Sequence, residues 1–97
     1  YRNSDENANL ASLYPAHSFS LGVLGFALLK NDKHEKAIEK FEDAIKVKPD
    51  YYLPYKGLGK AYMKLGQKEK AVGNLEKAAL LNDLDEENKK LLEEARK

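Results

Sequence analysis

Apolar positions along the chain fall into two helical runs that then repeat. Leu21, Leu24, Gly25 and Leu28 are followed by Ala37, Phe41 and Ala44. The same order returns as Tyr55, Leu58, Gly59 and Tyr62, then Ala71, Leu75 and Ala78. Steps of three and four residues put such side chains on one face of an α-helix. The pattern predicts a helix from about Ser18 to Asn31 and a second from about Lys33 to Val47. Leu24, Leu28, Ala37, Phe41 and Ala44 are expected to face inward. Pro49 and Asp50 then break the chain. Pro54 falls in the first turn of a third helix, where its missing N–H costs little. Gly66 supplies the next turn, and a fourth helix should run from about Gln67 to Leu81. Gly73 should weaken that helix by about 1 kcal/mol relative to alanine.

The two ends read differently. Asp85 is a good N-cap, with Glu86 and Glu87 in the first turn and Arg96 and Lys97 at the far end, an order that follows the helix dipole. Leu91, Leu92 and Ala95 can cover the preceding helices while Lys89, Lys90, Glu93 and Glu94 meet water, so residues 86–97 are expected to be a capping helix. Near the start, Ser4, Asp5 and Glu6 can open a helix, Leu10, Leu13 and Tyr14 form a short apolar stripe, and Pro15 ends it. Pro15 and Pro49 are 34 residues apart. Residues 1–17 are therefore read as the remnant of a preceding unit or a short N-terminal helix, with an unstructured leader as the other reading.

Leu24 and Leu58, Gly25 and Gly59, Ala37 and Ala71, and Ala44 and Ala78 are each 34 residues apart. This doubled pattern resembles the tetratricopeptide repeat, a 34-residue helix–turn–helix unit written W-x-x-L-G-x-x-Y, A-x-x-x-F, P. The resemblance implies an all-α fold: an α-α superhelix of two stacked repeats, at 18–51 and 52–85, closed by the capping helix. Small residues at Gly25, Ala37, Ala44, Gly59, Ala71 and Ala78 would allow close helix crossings. Leu21 and Tyr55 stand in place of the usual tryptophan. Asp83 stands in place of the terminal proline, so the second repeat's last helix is expected to run on or bend differently.

Composition narrows the function classes. Ninety-seven residues fit one domain, and 42% apolar with 34% charged suits a soluble helical protein. A net charge of +1 argues against a dedicated nucleic-acid binder. No run of 18 apolar residues exists, so no membrane span is expected, and the cytoplasm is slightly favoured as a location. The absence of cysteine removes disulfides and thiolate chemistry. The chain begins at Tyr1 and its only methionine is Met63, so it reads as a fragment or processed product of a longer chain. His17 and His34 have no metal-ligand spacing. Ser4, Ser12, Ser18 and Ser20 lack a nucleophile-elbow context. Gly57-Leu58-Gly59 lies within a helix and lacks a following lysine–serine pair. Adjacent acids and lysines such as Glu35-Lys36 read as a solvated face. No enzymatic activity, metal or cofactor is expected.

In the tetratricopeptide family, ligands lie along the concave surface made by the first helix of each repeat. The resemblance puts Phe19, Gly22, Phe26, Leu29 and Lys30 there from the first repeat, and Leu53, Lys56, Lys60, Met63 and Lys64 from the second. Lys56, Lys60 and Lys64 form a row on one helix face. An apolar strip of Phe19, Phe26 and Leu29 beside that row, with Lys30 and Met63, suits a protein or peptide partner that is acidic and carries apolar anchors. The polar residues of a terminal-carboxylate clamp are missing at Gly22, Phe26 and Gly57. The function expected is non-catalytic protein–protein interaction on the concave face. The alternative is an accessory domain packed against a catalytic or transport domain of the same longer chain. The strip could equally serve self-association, and the lysines could be ordinary solubility charges.

Overall fold

The computed structural model describes residues 15–97, which form five helices and no strand: α1 (Pro15–Lys30), α2 (His34–Val47), α3 (Tyr52–Lys64), α4 (Lys68–Leu81) and α5 (Glu86–Arg96). The chain start, including the apolar stripe of Leu10, Leu13 and Tyr14, lies outside the described residues. Consecutive helices pack in order, α1 on α2, α2 on α3, α3 on α4 and α4 on α5. The first helices of successive units also touch, α1 with α3 and α3 with α5.

The packing repeats as the sequence does. One core cluster joins Leu29, Ala37, Phe41, Leu58 and Ala61. A second joins Ala71, Leu75, Leu92 and Ala95, with Tyr62 packed against both. Ala37, Phe41, Leu58 and Ala61 each recur 34 residues later in the second cluster as Ala71, Leu75, Leu92 and Ala95. Phe41 is fully buried because two helices leave room for its ring. A Cβ added at Gly25 would lie 2.6 Å from the ring, and one added at Gly57 would also clash with it. Leu75 fills the same slot against Gly59. Thus Gly57, where a polar residue of the terminal-carboxylate clamp would stand, faces the core.

The turns repeat too. Asp32 adopts φ 62° after α1, and Gly66, 34 residues later, adopts φ 75° after α3. In each turn the following N–H reaches back to a helix carbonyl, Lys33 to Leu28 at 2.9 Å and Gln67 to Tyr62 at 2.8 Å. Aspartate is one of the few residues other than glycine that tolerates this left-handed conformation.

Three expectations change. Pro15 belongs to α1, three residues ahead of the start expected at Ser18, because proline is well suited to a helix's first turn. Leu24 does not face inward but is 44% exposed. Its counterpart in α3, Leu58, is covered by the preceding helix α2, and no such helix precedes α1 among the described residues. The last helix of the second repeat does not run on. It ends at Leu81, 34 residues after Val47, and the Leu84 N–H donates to the Asn82 side chain at 3.0 Å in the turn that follows.

Two glycine substitutions should move stability in opposite directions. Gly57→Ala should cost about 1–3 kcal/mol, because the Phe41 ring has nowhere to retreat. Gly73 is exposed with open space around it, so Gly73→Ala should add about 1 kcal/mol. Thermal melts of the two variants check both signs.

Candidate functional site

The C-terminal halves of α1 and α3 run side by side and leave a shallow groove of about 400 Å³, lined by Phe26, Leu29, Lys30, Asp32, Lys60 and Lys64. Phe26 rests edge-on against Phe41, with ring centres 4.9 Å apart, so the groove floor is tied to the core. The Lys60 ammonium sits 5.8 Å from the centre of the Phe26 ring. Three lysines against one aspartate give the walls a net positive charge. Lys30 and Lys64 also lie in the last turns of α1 and α3, where a cation offsets the helix dipole. Both are exposed, and among the described residues neither has a carboxylate within ion-pair distance.

Five of the eight residues expected at the site therefore meet in one groove: Phe26, Leu29, Lys30, Lys60 and Lys64. The other three do not. Phe19 is 54% exposed further along α1 and lines no part of the groove. Met63 opens on a separate hollow of about 230 Å³, with Gly66, Lys68, Glu94, Ala95 and Lys97. Lys56 is the larger correction, because its side chain is only 9% exposed and is consumed by the fold. Its ammonium reaches Asp85 at 2.8 Å and Glu87 at 2.7 Å. Glu87 extends to Lys60 at 3.2 Å. The lysine row is thus divided: one buried, one shared with α5, and one free.

Asp85 and Glu87 come together with α3 because of how α5 begins. The Asp85 side chain accepts the Asn88 N–H at 3.0 Å as N-cap. Asn88, buried beneath it, donates to the Leu75 carbonyl at 3.1 Å. These two bonds fix the first turn of α5 over Lys56. Asp32 and Glu87 were not expected at the site. Asp32 could have been suspected, since it occupies the slot of Gly66 in the repeat. Nothing local in sequence links Glu87 to Lys60.

A sequence profile for the family described as regulator of microtubule dynamics protein 1-3 matches residues 23–97. The chain belongs to that family. No curated protein sequence matches it. Among solved structures, the chain is similar to the solution NMR structure of a tetratricopeptide repeat domain protein from Salinibacter ruber, with a TM-score of 0.66, 25% identity and 86% of each chain covered. The fold is therefore the tetratricopeptide one that the 34-residue spacing resembles. In this member of the regulator of microtubule dynamics family, no described helix is long and apolar enough to cross a membrane. No cluster of three histidines or carboxylates among the described residues could hold a metal ion.

The ion-pair network sets a pH dependence. Burial alone would pull the Lys56 pKa down, but hydrogen bonds to Asp85 and Glu87 outweigh it, so the value is raised. Burial would likewise push Asp85 up, yet Lys56 and the Asn88 N–H hold it below the usual aspartate value. Hydrogen bonds from Lys56 and Lys60 lower Glu87. A lowered carboxylate contributes stability above its unfolded pKa and loses it as pH falls through the folded one. A raised lysine loses its share only as pH climbs through the raised value. The network should therefore be intact from about pH 6 to about 9 and fail below about pH 4. Lys56→Met should cost about 3 kcal/mol at neutral pH by leaving Asp85 unpaired, and should flatten the acid limb. Melting temperature against pH for parent and variant checks both effects.

Proposed function

We propose that this chain is a non-catalytic interaction module that binds an acidic segment of a partner protein in the groove between α1 and α3. The observation that carries this reading is the joint placement of an apolar floor, Phe26 and Leu29, beneath Lys30, Lys60 and Lys64. The floor would accept one or two apolar side chains, and apolar burial should supply most of the affinity. Exposed ion pairs contribute only about 0–1 kcal/mol each, so the lysines would steer association and select acidic partners. The family description gives microtubule dynamics as the setting in which that partner is to be sought. The fold itself supports a binding rather than a catalytic role.

A second reading rests on another patch. Phe19, Val23 and Leu24 leave exposed apolar side chains toward the N-terminal end of α1. Such a patch suits an accessory domain packed against a catalytic or transport domain of the same longer chain, or self-association.

The test uses a dye-labelled, acetylated peptide of sequence EDLLED and fluorescence anisotropy. Phe26→Ala should weaken binding about tenfold, mainly through faster dissociation, with the helical melt retained. Lys30→Ala with Lys64→Ala should slow association and flatten its dependence on salt. Co-sedimentation of the same variants with microtubules checks the setting. Variants that bind like the parent in both assays would move the site to Phe19, Val23 and Leu24.

A further inference from the structure

The groove already has a carboxylate at its edge. Glu87 spans Lys56 at 2.7 Å and Lys60 at 3.2 Å, and Lys60 is the lysine poised over the Phe26 ring. We infer that Glu87 is a built-in competitor for the carboxylate of a bound acidic segment and sets the groove's affinity through Lys60; this rests on the groove being the ligand site.

The contact is built to exchange. The side chains of Glu87 and Lys60 are 57% and 31% exposed, and pairs this open to water are weak. Lys56 does not need Glu87, because Asp85 remains bonded to it at 2.8 Å. Helix α5 does not need it either, since the Asn88 bond to Leu75 and the burial of Leu92 and Ala95 hold the helix in place. Glu87 Oε2 can therefore leave Lys60 while Oε1 keeps its contact with Lys56 and the fold stays closed. An incoming carboxylate then replaces it at Lys60, one charged hydrogen bond for another. A segment without an acid at that point cannot make the exchange and leaves Lys60 occupied. Glu87 thus raises the threshold for acidic ligands at Lys60 and withholds that lysine from neutral ones.

Glu86 supplies a control. It carries the same charge one residue earlier, but pairs with Lys89 at 3.3 Å rather than with a groove lysine. Glu87→Gln should tighten binding of the EDLLED peptide about two- to fivefold, with the helical melt retained. Glu86→Gln should leave the affinity at the parent value. In a Lys60→Met background, Glu87→Gln should bring no gain, because the lysine it frees is gone. Equal gains from Glu86→Gln and Glu87→Gln would mean a bulk charge effect and overturn the inference. So would a parent that binds the peptide, loses affinity on Phe26→Ala, and is unmoved by Glu87→Gln. That result would leave the groove standing and remove only the competitor. A peptide that binds neither the parent nor the Glu87→Gln protein would remove both.

Discussion

The Phe41 ring sets the spacing on which the other contacts depend. It is pressed between Gly25 of α1 and Gly57 of α3, where no side chain larger than hydrogen fits. Those two glycines let one helix of the first repeat touch both its own partner and the next repeat. The distance between α1 and α3 follows from that wedge, and so does the groove between their C-terminal halves. Phe26 carries the constraint outward, since its ring meets Phe41 edge-on and forms part of the groove floor. Core packing and site geometry are therefore one problem here. Protein interiors transmit such strain because they are close-packed.

Charge is distributed along α3 by depth. Lys56 lies where α5 begins and is taken up by Asp85 and Glu87. Lys60, one turn on, is divided between Glu87 and the groove. Lys64, a further turn on, is exposed and lines the groove. One row of identical residues thus runs from a buried ion-pair position to an exposed groove position. A buried ion pair adds little net stability relative to an apolar pair, but removing one partner is expensive. The Lys56 network accordingly fixes where α5 docks more than how firmly it does so.

The repeat was legible because its signals are local and doubled. Ala37 and Ala71, Phe41 and Leu75, and Leu58 and Leu92 occupy matching places in the two cores, each pair one period apart. The groove was legible only in part. Phe26, Leu29, Lys30, Lys60 and Lys64 were accessible through the family pattern, whereas the fate of Lys56 was not. It depends on Asp85, 29 residues away and across a helix hairpin, and no periodicity links the two. Leu24 failed for a related reason. Its repeat position is a buried one, but burial there requires a preceding helix against α1, which the repeat pattern alone does not supply. Asp32 was legible as a turn residue through its match to Gly66 one period on, but not as part of the groove wall.

The central claim is that the α1–α3 groove, and no other face, receives the ligand. A titration of the ¹⁵N-labelled chain with the EDLLED peptide, followed by two-dimensional NMR, tests it most directly. The account predicts shifts concentrated at residues 26–32 and 60–64, with smaller ones at Glu87 as it leaves Lys60. Shifts centred instead on Phe19, Val23 and Leu24, or on the hollow around Met63 and Ala95, would contradict it.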